Sequence, residues 1–86
     1  MADHEDDRLM PEKTVEWLQD EALRRCRTRL GCSDLQTVRI GPTKPEGSGP
    51  NWELLAFIPE LDAVAHYEAM DEIHKLRGMY ALAKRK

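Results

Sequence analysis

The amino-acid sequence predicts an α+β fold in which two helices pack on a short antiparallel β-hairpin, a two-layer α-β-β-α arrangement. Three observations predict it. Two segments repeat apolar residues at intervals of three and four, as one face of a helix does. Two short segments between them alternate or run apolar, as strands do. A stretch rich in Gly and Pro joins those two segments. The 86 residues are enough for one domain and not two. The expected organisation is an acidic tail without fixed structure over residues 1–10, one α+β domain over 11–83 and a basic tail over 84–86.

The first helix is expected from Pro11 to Leu30. Proline suits a first helical position, and Val15, Leu18, Ala22, Cys26 and Leu30 keep the spacing of one face, with Leu23 widening it. Acids lie toward its start and arginines toward its end, which complements the helix dipole. Gly31 is the expected stop, since glycine takes the left-handed conformation at low cost. Leu35–Ile40 reads as a strand with Val38 and Ile40 on one face and Thr37 and Arg39 on the other.

Residues 41–50, Gly41-Pro-Thr-Lys-Pro-Glu-Gly-Ser-Gly-Pro50, read as a loop between antiparallel strands. Asn51–Ile58 reads as the second strand. Strict alternation puts Trp52, Leu54, Ala56 and Ile58 on one face and Leu55 and Phe57 on the other, a strand that wants cover on both sides. Pro59 is expected to open the second helix, with Leu61, Ala65, Ala69, Ile73, Leu76 and Tyr80 along its buried face. Gly78 either ends that helix or weakens it. In a dimer, two hairpins would join into a four-stranded sheet and answer the problem of exposed strand edges.

Several function classes are set aside by composition. No apolar run nears the roughly 20 residues that span a bilayer, so no membrane association is expected. The acidic start, Met1–Asp7, does not read as a secretion signal, so the expected location is cytoplasmic. Cys26 and Cys32 are spaced neither as a zinc site nor as a redox pair, and are expected to be free thiols, with Cys26 packed in the core. The segment Gly47-Ser48-Gly49 leads into a strand and not a helix, which argues against nucleotide binding. His66 and His74 are eight residues apart on one helix, roughly 12 Å along its axis, too far to share a metal. No grouping of nucleophile, base and acid is apparent, so the chain is not expected to be an enzyme and no cofactor or metal is implied.

The net charge is −3, unevenly spread: residues 1–21 carry eight acids against two bases, and residues 22–50 carry six bases against two acids. Helical rotation places Trp17 opposite the main stripe, near Arg24 and Thr28. Tyr67 and Met70 likewise fall off the main stripe of the second helix. Bulky aromatic and thioether side chains outside a core are common at interfaces. Trp17, Arg24, Thr28, Tyr67 and Met70 are therefore the candidate interaction residues. The expected function is a small non-catalytic interaction module binding another protein or a second copy of itself. The alternative is an accessory nucleic-acid or phosphate-ligand binder, in which Arg25, Arg27 and Arg29 would join Lys84, Arg85 and Lys86 in one anion-binding patch. Nucleic acid is the less expected partner, because the overall charge is negative.

Overall fold

The computed structural model describes residues 10–44 and 49–83. The elements in chain order are β1 (Glu12–Lys13), α1 (Val15–Cys26), β2 (Thr37–Pro42), β3 (Trp52–Ile58), α2 (Ala63–Met79) and β4 (Ala81–Leu82). β2 and β3 pair antiparallel, and both helices bury their apolar faces with this hairpin in one core. The fold is thus the expected α+β layout. Two short elements were not foreshadowed: β1 and β4 pair in parallel, with Glu12 opposite Ala81 and Lys13 opposite Leu82.

Capping sets where the helices begin. Thr14 is the N-cap of α1 and its hydroxyl accepts the Trp17 amide at 3.1 Å. That bond satisfies a donor the first turn would otherwise leave open. Pro11 is therefore not the first helical residue. It lies in the extended lead-in, where its carbonyl accepts the Ala81 amide at 2.9 Å. In the same way α2 starts at Ala63 and not at Pro59, because the Asp62 carboxylate accepts the Ala65 amide at 2.9 Å. Serine-, threonine- and aspartate-type caps outcompete proline here because they supply an acceptor.

The buried stripes match the apolar spacing. Leu18, Ala22 and Cys26 on α1, and Ala65, Ala69, Ile73 and Leu76 on α2, are all buried. Leu30 departs from the expectation at 71% exposed, because the helix ends at Cys26 and the chain turns away before reaching it. Gly31 has φ of +80°, and a Cβ there would lie 3.1 Å from the Ala65 Cβ, so both backbone and space call for glycine. Gly78 does not stop α2, which runs on to Met79. A Cβ at Gly78 would meet nothing within 4 Å. Gly78→Ala is expected to stabilise the chain by about 0.5–1 kcal/mol, read as a melting point a few degrees higher.

The hairpin contains the main correction. Arg39 lies opposite Ala56 and Ile40 opposite Leu54, so Leu55 has no cross-strand partner. This is a β-bulge, two residues facing one. It reverses the alternation of β3 part-way along. Trp52 and Phe57 both end in the core despite their odd separation. Ile58, expected beside Trp52, is instead 40% exposed, and Leu55 is 58% exposed. The strand therefore buries one face against the helices and leaves an apolar group on the other. On β2 the simple alternation holds, with Val38 and Ile40 buried and Arg39 exposed.

The helices run antiparallel. The Trp17 ring at the start of α1 meets the Tyr80 ring just past the end of α2, edge to face at 4.9 Å between centroids. Arg29, just past the end of α1, reaches Glu68 near the start of α2 at 2.6 Å. Among the described residues, no helix is long and apolar enough to cross a membrane.

Candidate functional site

The two edges of the hairpin differ. The outer side of β2 is served by α1, where the Gln19 side-chain carbonyl accepts the Ile40 amide at 3.0 Å. Among the described residues, the outer side of β3 is held only at its beginning, where Arg77 Nε donates to the Trp52 carbonyl at 2.7 Å. Beyond that point β3 has β2 on one side and, among the described residues, no strand on the other. Unpaired strand edges are templates for pairing with another chain, and native edges usually carry Lys, Pro or other charge to prevent it. The stretch Leu54-Leu55-Ala56-Phe57-Ile58 carries none of these.

A groove of about 360 Å³ follows this edge, between β3 and the start of α2. Leu54, Phe57 and Leu61 form its apolar part, and Glu60 and His66 its polar rim. The His66 ring stands edge to face on Phe57, with centroids 5.4 Å apart. On the open face of the hairpin, Leu55 lies over Gly41, where even a methyl group would come within 2.9 Å of its Cδ1. Val64 and Tyr67, at 61% and 77% exposure, stand on the solvent side of the first turns of α2. Leu55, Ile58, Val64 and Tyr67 thus lie exposed along β3 and the first turns of α2, while Leu30, past the end of α1, and Met79, at the end of α2, are exposed elsewhere.

The residues singled out in the sequence do not form one patch. Trp17 is half-buried against Tyr80 at the far end of α2, with the Lys13 ammonium 4.7 Å from its ring centroid. Tyr67 is thirteen positions before Tyr80, roughly 20 Å along the helix. Met70 is half-buried and packs against the core. Arg24 is exposed and bound to Glu21, and the Thr28 hydroxyl donates to the Arg25 carbonyl at 2.7 Å. Leu54, Leu55, Phe57 and Ile58 were missed as a surface because strict alternation put them on faces expected to be covered, and Leu61 because helical spacing put it on a buried face.

The arginines are engaged within the fold. Arg29 Nη1 lies 2.7 Å from Glu72 and 3.0 Å from Asp71, in addition to its contact with Glu68. These bonds, to Glu72 foremost, raise the Arg29 pKa further above its ordinary value. The bond from Arg29 holds the Asp71 carboxyl below the usual range. Arg25 Nε bonds Glu21 at 2.9 Å, and that bond together with the one from Arg24 lowers the Glu21 pKa. Arg27 Nε donates to the Leu35 carbonyl at 2.8 Å. The end of α1 also lies far from Ala83, which leads into residues 84–86 and whose amide bonds the Lys13 carbonyl at the opposite end. The arginine cluster and Ala83 therefore lie at opposite ends of the fold. Lys84, Arg85 and Lys86 lie outside the described residues, as do Gly47 and Ser48.

Both cysteines are free and buried. The Cys32 thiol points at the Ala65 carbonyl, with sulfur and oxygen 3.4 Å apart, and Cys26 sits 3.7 Å from the Ala69 carbonyl. Burial pushes the Cys26 thiol up to about 12, and burial also raises Cys32. Neither is a reactive thiolate at neutral pH. Among the described residues, no group of three or more His, Cys, Asp and Glu side chains is placed to hold a metal ion.

No protein-family model matches the chain, and neither a curated protein nor a solved structure matches it.

Proposed function

We propose that this chain is a non-catalytic interaction module that associates with a second copy of itself along the free edge of β3. One observation carries the reading: an uncharged apolar strand edge that borders an open groove. A two-stranded hairpin is marginal alone, and edge-to-edge pairing about a two-fold axis would give four strands. The same apolar group of Leu55 and Ile58 would then meet itself across the axis, as a closed dimer interface requires. A chain this small also gains from covering more apolar surface.

The engaged arginines favour this reading over anion binding by α1. Each of Arg24, Arg25 and Arg29 already has a carboxylate partner. Two buried free thiols fit a reducing compartment such as the cytoplasm.

Sedimentation equilibrium tests the proposal. The full chain is expected to show a reversible monomer–dimer equilibrium, and Leu55→Lys is expected to shift it to monomer. The lysine stem still covers Gly41 while its ammonium places a charge on the edge. The helical circular dichroism of the variant should be unchanged. A wild-type chain that stays monomeric at millimolar concentration would remove the proposal.

A further inference from the structure

One flank of α2 meets β3 near both ends of the strand. The His66 ring stands on Phe57 at 5.4 Å between centroids, and Arg77 Nε donates to the Trp52 carbonyl at 2.7 Å. His66 and Arg77 are eleven residues apart, close to three helical turns and roughly 16 Å of rise. Trp52 and Phe57 are five apart, roughly 17 Å of strand. The helix therefore follows the strand in the opposite direction, with one flank along it. The Asn51 carbonyl accepts the Thr43 amide and so points toward β2. Carbonyls alternate along a strand, and the next one, on Trp52, points out of the free edge. Arg77 meets it there, so this flank of α2 reaches past the edge. The groove of about 360 Å³ opens beside the same flank, at His66.

The other face of the hairpin holds what the core leaves out. Trp52 and Phe57 point inward, and Glu53, Leu55 and Ile58 are exposed on the outer side. An apolar pair thus lies on one face of β3, and an apolar groove borders the opposite face at the same edge.

Two different two-fold axes can pair β3 with its copy. An axis normal to the sheet makes the strands antiparallel and sets the helices of both copies on one face. Neighbouring strands lie about 4.8 Å apart, while packed helices need about 8–10 Å. Two α2 helices that each reach past the edge would then overlap. An axis along the strands makes them parallel and inverts one sheet, so the helices of the two copies lie on opposite faces. Each α2 then covers the outer face of the partner's β3. The same inversion brings the partner's Glu53 level with Arg77, a carboxylate beside a guanidinium.

We propose that self-association takes this second form. Ile58 of each copy enters the partner's groove against Phe57, Leu61 and His66, Leu55 lies under the partner's α2, and Arg77 pairs with the partner's Glu53. The inference rests on the β3-edge dimer proposed above and fixes its orientation: Leu55 and Ile58 close on the partner's helix side, beside their own copies.

Charge reversal tests the orientation. Glu53→Arg and Arg77→Glu chains, each with the helical circular dichroism of the wild type, are expected to self-associate roughly tenfold more weakly in sedimentation equilibrium. An equimolar mixture of the two is expected to associate at close to wild-type strength, because both contacts are then complementary again. An ion pair within one chain cannot produce that recovery. The wild type gives a second reading that needs no variant. In a half-labelled sample at millimolar concentration, isotope-filtered NOEs are expected between the Ile58 methyls and the partner's Leu61 and His66. Three results would overturn this orientation and leave the β3-edge dimer standing: folded variants whose mixture does not recover, recovery on mixing Arg77→Glu with Glu60→Arg instead, or Ile58 NOEs to the partner's Glu53. A wild-type chain that stays monomeric would remove both.

Discussion

Trp52→Ala is expected to remove most of the stability of the fold. Trp52 is fully buried and is the largest side chain in the core. Its indole N–H donates to the Tyr80 carbonyl at 3.0 Å, joining β3 to the end of α2. Truncating a buried tryptophan costs about 3–5 kcal/mol, from lost apolar transfer and from the cavity left behind. A small domain commonly has only about 5 kcal/mol in total. The substitution also leaves the Tyr80 carbonyl without its donor, so the groups that hold β4 lose a neighbour. Urea denaturation followed by circular dichroism should show a midpoint near zero denaturant. A loss below about 1 kcal/mol would mean the indole is not central to the packing.

Raising the pH above 9 is expected to destabilise the chain through Cys26. Burial raises this thiol from an ordinary value of 9.0 to about 12. The unfolded chain therefore releases the proton first, and between pH 9 and about 12 the folded state holds more protons than the unfolded state. Stability contributed by the protonated thiol is complete below pH 9 and falls by up to about 1.4 kcal/mol for each pH unit above it. Cys32 shifts in the same direction, also through burial. Other groups titrate at high pH too, so the informative quantity is the difference between wild type and Cys26→Ala. Urea midpoints at pH 8, 9, 10 and 11, with reductant present, should fall more steeply in the wild type. Parallel pH profiles would contradict a buried, protonated Cys26.

Much of the fold was legible because helical and strand spacing is a local signal. Leu18, Ala22 and Cys26 on α1, and Ala65, Ala69, Ile73 and Leu76 on α2, show in spacing alone which way each helix faces. Val38 and Ile40 do the same for β2. What escaped depends on pairing between distant residues. The bulge at Leu55 is visible only once Arg39 and Ile40 are matched to Ala56 and Leu54. A one-residue offset then exchanges buried and exposed side chains, so Ile58 and Phe57 trade the places alternation gave them. The β1–β4 pairing rests on two residues each, too short to leave a period.

The candidate site was less legible for the same reason. Trp17 stood out as a bulky group off the stripe, but Tyr80 packs against it from the far end of α2, which no local pattern connects to it. The arginines stood out as a basic cluster, but antiparallel helices bring Glu68, Asp71 and Glu72 to Arg29. Isolated charge counts cannot show such pairing. Conversely, Arg77 and Trp52 are far apart in sequence and meet only because the end of α2 lies along the start of β3.

Hydrogen exchange across the β3 edge tests the central claim most directly. Amides from Leu54 to Phe57 are expected to exchange more slowly as the wild-type chain is raised from micromolar to millimolar concentration, while amides of the α2 core face are unchanged. In Leu55→Lys that concentration dependence should disappear. Exchange at Leu54–Phe57 that is the same at every concentration would show that the edge stays unpaired and would contradict the account.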